Sequence, residues 1–145
     1  MANLVNLGVN VVAYKKNNHL FGMTCAWMTM VDYDKLVMLL GSQSDTAHAL
    51  KVGDIIGVSA LSSAQEEVAN HFGDNHSLKV NKFESASYDE KDGAILIKGA
   101  KTRLKCRVFD ISRVKGNDED FLVFAEVIES DSDENLKFLQ KESLD

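Results

Sequence analysis

The feature that most constrains the fold is a regular succession of short β-rich segments separated by turn-forming residues. The chain has no proline, so its turns depend on Gly, Asn and Asp, as in "KKNNH", "DYDK" and "DEKDG". Regular strand spacing with short turns predicts an antiparallel barrel or sandwich decorated by short helices. The β-rich segments are residues 8–15, 19–31, 35–41, 54–61, 94–99, 103–114 and 120–129.

Two of these segments carry more detailed expectations. Residues 19–31, "HLFGMTCAWMTMV", predict one long strand, or a strand with a β-bulge at Gly22. Residues 35–41, "KLVMLLG", form a nearly continuous apolar run. We therefore expect this second segment to be buried on both faces.

Helical patterns interrupt the strands at two places. Residues 44–53 offer Ser44 or Asp45 as an N-cap and Gly53 just past the end. Residues 62–73 begin with the capping box of Ser62 and Gln65.

The second helical pattern also has an apolar face and a stop signal. Val68 and Phe72 lie four residues apart on one face, and Gly73 can end the helix. A third short helix could form in residues 132–142, with Leu136 and Leu139 facing inward.

Composition and charge exclude several classes of protein. The 145 residues are 45% hydrophobic and 26% charged, which fits one globular domain. The net charge of −6 argues against a nucleic-acid surface, which needs clustered Lys and Arg. No apolar run approaches the roughly 20 residues of a membrane span. We expect a cytoplasmic protein that binds neither nucleic acid nor a membrane.

The chain lacks the common catalytic and metal-binding patterns. Cys25 and Cys106 have no CxxC spacing and no His pair nearby, so we expect buried free thiols. The histidines are scattered, and no nucleophile elbow, paired acids, GxGxxG or GxxxxGK[ST] occurs. A nucleotide would have to be bound in another way.

Two polar clusters remain as candidate binding sites. Thr24 and Cys25 lie beside Trp27, the only tryptophan. Residues 41–46, "GSQSDT", precede a predicted helix, where free N–H groups point outward and suit a phosphate. An ordinary N-cap turn explains the same residues, and the carboxylate of Asp45 would repel a phosphate.

The order of these motifs resembles the flavin reductase-like family with the FMN-binding split-barrel fold. The matching pieces, within about residues 9–129, are "GMTCAW", "KLVMLLGSQSDTAHALKVGDIIGVSAL", "QEEVANHFG", "NKF", "TRLKCRV" and "FLVFAEV". The resemblance implies a mainly β, antiparallel Greek-key split barrel with short peripheral helices. It also implies a homodimer with FMN near the subunit interface. We expect the FMN-binding domain at residues 1–130 and an acidic tail at 131–145.

The resemblance also implies which residues hold the cofactor. Small residues on the flavin strand would let the ring lie close, and backbone N–H groups would donate to its carbonyl and N5 edge. Trp27 would pack beside the ring, although the residue pattern alone favours a core position. No side chain is expected to act as a nucleophile. The residues matching the flavin strand, the phosphate segment and the pocket rim are, in that order, Thr24, Cys25, Ala26 and Trp27; Ser42, Gln43, Ser44 and Thr46; His71, Phe72, Lys82 and Phe83.

Three departures from the family pattern affect the predicted activity. Residues 32–35 read "DYDK" instead of a proline-containing turn, and residues 57–59 read "GVS" where many relatives have Asn. Residues 116–121, "GNDEDF", lack the His with which relatives engage the nicotinamide.

The resemblance favours an FMN-binding oxidoreductase that passes electrons from NAD(P)H through flavin to free flavin, a metal ion or a partner protein. One alternative is an FMN-carrying electron-transfer module without its own NAD(P)H site, supplied by a redox partner protein. The missing His favours that alternative, and the acidic surface suits a basic partner. Another is a split-barrel binding module that has lost flavin; Asp45 and the lack of an evident Arg clamp favour it.

Overall fold

The computed structural model describes residues 4–74, 83–84, 86–114 and 116–144. These residues contain one nine-stranded antiparallel sheet, in the order β3-β4-β9-β8-β5-β1-β7-β6, with β2 paired to β1. The strands are β1 Asn10–Lys16, β2 His19–Cys25, β3 Met28–Asp32, β4 Lys35–Leu40, β5 Ile55–Ala60, β6 Tyr88–Lys91, β7 Ala94–Ile97, β8 Thr102–Val114 and β9 Asn117–Ser132.

Tight turns join the hairpins where the sequence supplies Asn, Asp and Gly. Asn17 and Asn18 connect β1 to β2 with φ of 53° and 63°. Asp92 and Gly93 connect β6 to β7 with φ of 53° and 97°. Positive φ at both central residues gives a turn whose twist matches that of the paired strands, and Asn, Asp and Gly tolerate it best.

Strand β1 separates two hydrophobic cores because its side chains alternate between the two faces of the sheet. Val12 and Tyr14 face the first, which we call the barrel core. Val11 and Ala13 face the second, which we call the helix-side core. The barrel core also contains Phe21, Cys25, Leu36, Met38, Leu40, Ile56, Val58, Cys106, Val108, Val123 and Ala125.

The segment predicted as one long strand is two strands. Strand β2 ends at Cys25 and β3 begins at Met28, because the first half pairs with β1 and the second half pairs with β4. The predicted bulge at Gly22 is also wrong, since the β1–β2 register runs without interruption past Ala13 and Gly22.

Strand β4 is not buried on both faces. Leu36, Met38 and Leu40 are buried in the barrel core, whereas Val37 and Leu39 between them are only half-buried. The apolar run therefore gives the sheet an outer face that the described residues of this chain leave partly open.

Both predicted helices form, but their ends differ from the prediction. Helix α1 is Asp45–Ala49, with Ser44 as its N-cap, and it ends well before Gly53. Helix α2 is Glu66–Asp74, so it begins after the capping-box residues and continues through Gly73.

The predicted helix in the tail is wrong over most of its length. After β9 ends at Ser132, the chain forms turns and isolated bridges, followed by a short 3-10 helix at Lys141–Leu144. Leu139 does face inward, and it packs in the helix-side core. The boundary between a 1–130 domain and a 131–145 tail stays a prediction.

Candidate functional site

Strand β2 lies at the centre of the predicted site, because the other predicted segments contact it. The Thr24 hydroxyl donates to the carbonyl of Ala69 in α2 over 2.5 Å. The side chain of Met23, one residue earlier, lies 3.1 Å from the Ser44 hydroxyl. Thr24 thus faces α2, and its neighbour Met23 faces the loop before α1.

The chain turns sharply between β2 and β3, at Ala26 and Trp27. Met28 N donates to the Ala26 carbonyl over 2.9 Å, and Leu39 N donates to the Trp27 carbonyl over 2.9 Å. The Trp27 side chain is 59% exposed. The core position that the residue pattern favoured for this tryptophan is therefore wrong.

A groove of about 750 Å³ lies against this turn, and we call it the Trp27 groove. Its sheet side is formed by Trp27, Thr29, Val37, Leu39 and Leu122, and its other wall by residues 4–7. Val37 and Leu39 point into it because alternate residues of β4 face away from the barrel core. The groove is thus built on the outer sheet face, with mainly apolar walls.

Cys25 has a structural position beneath the turn. Its Sγ lies 3.6 Å from the carbonyl oxygens of both Trp27 and Leu39. Burial raises the pKa of the Cys25 thiol to about 12, and the hydrogen bond to Trp27 only partly opposes this shift. The thiol is therefore neutral at ordinary pH and unsuited to nucleophilic attack. Cys106 is also a buried free thiol, as expected.

The 41–46 loop is held by hydrogen bonds within it and from β9. Ser44 Oγ accepts from Ala47 N over 3.0 Å, which makes Ser44 the N-cap of α1. Ser42 N donates to the Asp120 carboxylate over 3.1 Å, although the two residues are 78 apart in sequence. Helix α1 has only five residues, so its dipole adds little attraction for an anion.

Of the four predicted phosphate residues, Thr46 lies apart from the rest. Ser42, Gln43 and Ser44 are half-buried or exposed, whereas Thr46 is only 1% exposed. The Thr46 carbonyl accepts a 2.5 Å hydrogen bond from the buried Tyr14 hydroxyl. Thr46 therefore supports the loop from below and does not offer its side chain at the surface.

The predicted rim residues lie on the α2 side of β2. Phe72 and Phe83 are buried and meet edge to face, with ring centroids 5.2 Å apart. A separate cavity of about 530 Å³ is lined by His71 and Phe72. Neither residue lines the Trp27 groove. Lys82 lies outside the described residues.

Sequence reasoning missed side chains that strand pairing brings to this region. Val37, Leu39 and Leu122 were expected only as strand residues, yet they line the Trp27 groove. Asp120 and Phe121, at the start of β9, reach the 41–46 loop and α1. Their spacing in sequence carries no signal of this, because the register of β4 against β9 creates the proximity.

The described residues contain neither a candidate metal site nor a candidate membrane-spanning helix. No three His, Cys, Asp or Glu side chains there gather into a metal-binding group. No helix in that part of the chain combines the length and apolar character needed to cross a bilayer.

The family model for the flavin reductase like domain matches residues 1–141. The chain belongs to this family. The flavin reductase domain is an antiparallel Greek-key split barrel with short peripheral helices, which confirms the predicted fold class. Membership of this family also confirms the predicted enzyme class, an oxidoreductase of the flavin reductase type. A search of curated proteins finds no match to the chain.

Solved structures with the same fold accompany the family match. Streptomyces globisporus NADH:FAD oxidoreductase SgcE6 has a TM-score of 0.84 and 24% identity, covering 94% of this flavin reductase domain and 81% of that chain. Flavoredoxin from Methanosarcina acetivorans has a TM-score of 0.79 and 18% identity, covering 92% and 74%. Nitrilotriacetate monooxygenase component B from Mycobacterium thermoresistibile has a TM-score of 0.78 and 20% identity, covering 90% and 71%.

Proposed function

We propose that this flavin reductase domain binds FMN in the Trp27 groove and passes electrons from NAD(P)H to free flavin, a metal ion or a partner protein. The observation that carries the proposal is an exposed indole beside an apolar groove, on the turn that resembles the family's flavin strand. A bound flavin would supply hydride and electron transfer, and the protein would supply position and polarity.

The groove fits a flat aromatic ring system. Its volume of about 750 Å³ lies within the range of roughly 300–1,000 Å³ typical of small-molecule sites. Val37, Leu39 and Leu122 give it an apolar floor, on which water is easily displaced. The Trp27 indole can lie against the ring in an offset stack, an arrangement that aromatic pairs favour.

The backbone around the turn supplies the polarity. Strand β2 pairs only with β1 among the strands of the described residues, so its other edge is not covered by a strand. Thr24, Cys25 and Ala26 lie at the end of this edge. Successive N–H groups of a strand point to alternate edges, and the Cys25 carbonyl, which accepts from Asn10 on β1, shows that Cys25 faces β1. We propose that the N–H groups of this stretch that point away from β1 donate to the carbonyl and N5 edge of the ring, where negative charge develops on reduction.

We assign the phosphate to the 41–46 loop, which begins two residues after groove-lining Leu39. Ser42, Gln43 and Ser44 would contact it, with Thr46 buried beneath them. His71 on α2 would form the more distant rim, with Phe72 and Phe83 packed behind it in the helix-side core. Asp45 is the feature that opposes an anion here.

A second copy of the chain is the proposed partner over the outer sheet face. Edge strand β3 is almost entirely exposed, including Met30 and Val31, and Tyr33 is exposed in the turn that follows it. Exposed apolar surface of this extent marks an interaction site more often than bare surface. The second copy would close the open side of the Trp27 groove, and sedimentation equilibrium measures the expected dimer mass.

Two buried free thiols suit the reducing cytoplasm that we propose as the location.

The source of the electrons separates the leading proposal from its alternative. SgcE6 is described as an NADH:FAD oxidoreductase, and one of its structures is a complex with NAD and FAD fragments. Residues 116–121 of this chain contain no His, which favours an FMN-carrying module reduced by another protein. Anaerobic addition of NADH or NADPH to the yellow protein decides between them. Rapid bleaching supports the reductase, and bleaching only by dithionite or a partner reductase supports the module.

The groove itself can be tested through its tryptophan. Since Trp27 is the only tryptophan, quenching of its emission by FMN reports binding in the groove directly. Val37→Arg should weaken FMN binding by at least about tenfold, or about 1.4 kcal/mol, by placing a charge and bulk on the apolar floor. Val52→Arg is the matched control, because Val52 is exposed and lies outside the groove lining. A colourless protein that refuses FMN, or bound FMN that leaves Trp27 emission intact, contradicts the proposal.

A further inference from the structure

A cationic and aromatic cluster lies beside the 41–46 loop. The Arg113 guanidinium carbon stands 4.0 Å from the centroid of the Phe121 ring. The His48 ring meets Phe121 edge to face, with centroids 5.3 Å apart and planes at 83°. The stacking is a cation–π contact that holds the guanidinium over one ring while the Arg113 side chain stays exposed to solvent.

Residues beside Phe121 fix the loop through both peptide groups of Ser42. Asp120, the residue before Phe121, accepts from Ser42 N over 3.1 Å. His48, whose ring contacts Phe121, places Nε2 in hydrogen-bond contact with the Ser42 carbonyl. The cluster and the loop are therefore one connected unit.

Strand register places Arg113 close to the start of the loop. Leu40 pairs with Phe121, and Phe121 pairs with Arg113, so these residues lie in line across β4, β9 and β8. Neighbouring strands are about 4.8 Å apart, so only about 10 Å of sheet separates the Arg113 backbone from the end of β4. The guanidinium over Phe121 covers part of that distance.

We propose that Arg113 recognises the phosphate of the flavin nucleotide at the 41–46 loop, an inference that rests on the proposed flavin site. The loop region supplies carboxylates, from Asp45 and Asp120, so binding of a phosphate there needs a compensating cation. A guanidinium is permanently charged and its planar donors match phosphate oxygens. The proposal does not require Arg113 to lack other partners.

The consequence is selectivity among flavins. FMN and riboflavin share the ring and the ribityl chain, and only FMN carries the phosphate. Arg113 should therefore favour FMN over riboflavin without affecting the ring, and added salt should weaken that preference because the guanidinium is exposed.

The test compares Arg113→Gln with Arg107→Gln. Arg107 is also exposed on β8 and loses the same charge, but it pairs with Ile55 and Glu126, away from the loop. Dissociation constants for FMN and riboflavin come from quenching of Trp27 emission at low and high salt. We expect Arg113→Gln to weaken FMN binding by about tenfold, or about 1.4 kcal/mol, with riboflavin unchanged. Arg107→Gln should change neither constant, and Arg113→Lys should retain part of the FMN preference.

Each other outcome overturns the inference in a recognisable way. Equal losses for FMN and riboflavin in Arg113→Gln would give Arg113 a role in folding or ring binding only. Equal affinity of the unaltered protein for both flavins would remove phosphate recognition while leaving the flavin site standing. Failure of the unaltered protein to bind either flavin would remove the proposed function itself.

Discussion

The buried hydroxyl of Tyr14 offers a sharp test of how the 41–46 loop is held. Tyr14 is 1% exposed, and its hydroxyl donates to the Thr46 carbonyl over 2.5 Å. Its ring stacks on Phe21 with centroids 5.1 Å apart and an interplanar angle of 20°. Tyr14→Phe removes the hydrogen bond and keeps the stacked ring.

The expected cost follows from the burial of the acceptor. Thr46 is 1% exposed, so water cannot easily replace the lost donor at its carbonyl. An unsatisfied buried acceptor costs about 1–3 kcal/mol. Helix α1 has only five residues and little stability of its own, so the loss should appear fully in the free energy of unfolding. We expect Tyr14→Phe to lose about 2 kcal/mol.

Urea unfolding followed by circular dichroism measures this loss. Tyr33→Phe is the matched control, because Tyr33 is 97% exposed and its hydroxyl should contribute less than about 0.5 kcal/mol. Losses of similar size in both variants, or no measurable loss in Tyr14→Phe, would refute the account of the loop.

Alkaline pH gives a second measurement on the same residue. Burial and, to a smaller extent, the negative charge of Asp54 raise the Tyr14 pKa far above its ordinary value of 10.0. The folded state then holds the phenol proton more tightly than the unfolded state does. The contribution of the Tyr14 proton to folding stability is present below pH 10 and is lost as the pH rises above it. Tyr14→Phe should lack that dependence on pH.

Further outcomes follow from close packing and from the buried thiols. A Cβ at Gly57 would lie 2.1 Å from the backbone oxygen of Ile95, so Gly57→Ala should cost at least about 2 kcal/mol in urea unfolding or abolish folding. Gly8→Ala, with its nearest contact at 3.8 Å, should change stability by less than about 0.5 kcal/mol, and equal effects would contradict this packing argument. Cys25 and Cys106 should react with a thiol reagent slowly in the folded protein and rapidly in urea; fast reaction of the folded protein would argue against their burial. Burial raises both thiol pKa values from 9.0 to about 12, so the stability they contribute is present below pH 9 and is lost as the pH rises towards 12. Replacing both with Ala should flatten that alkaline decline, and an unchanged decline would assign it to other groups.

The strands could be predicted from sequence because alternation and turn residues are local signals. The break between β2 and β3 could not, because residues 19–31 have strand-forming character throughout. The break arises where the Trp27 carbonyl accepts from Leu39 N, since the chain there changes its pairing partner from β1 to β4. Pairing partners are set by the whole sheet and leave no mark in a single segment.

The helix ends differ from the prediction for reasons that are also visible in hydrogen bonds. After Ala49 the chain enters a turn in which Asp54 accepts from Lys51 N over 2.8 Å, and this turn competes with further helix. At α2, Ser62 forms a bridge with Phe138, which keeps it extended. The Gln65 side chain still accepts from Ser62 N over 3.0 Å, so half of the capping box survives without Ser62 joining the helix.

The tail illustrates the same competition between local and distant pairing. Leu139 N donates to the Leu61 carbonyl and Lys141 N donates to the Leu7 carbonyl, over 2.9 and 2.8 Å. These contacts hold the chain extended and seat Leu139 in the helix-side core. Leu139 was correctly predicted to face inward, whereas Leu136 is only half-buried. The predicted helix does not form there because the chain pairs with remote backbone instead.

The predicted site likewise has parts that the sequence indicates and a part that depends on strand pairing. The turn at Trp27 and the 41–46 loop could be found in the sequence because each is a contiguous stretch of unusual residues. Arg113 could not, because simple alternation along β8 puts it on the face opposite to Cys106 and Val108. A register shift between Val108 and Asp110 inserts one extra residue, Phe109, and reverses that alternation.

The consequence of that bulge reaches the proposed phosphate site. Beyond it, Ile111 packs against the barrel core, although its odd number would place it outside in an unbroken strand. Arg113 follows Ile111 onto the same face and meets Phe121 there. A single inserted residue thus places the Arg113 guanidinium over Phe121, the residue that follows Asp120 in β9. The proposed role of Arg113 therefore depends on the number of residues in β8, and no motif search along the chain would have detected it.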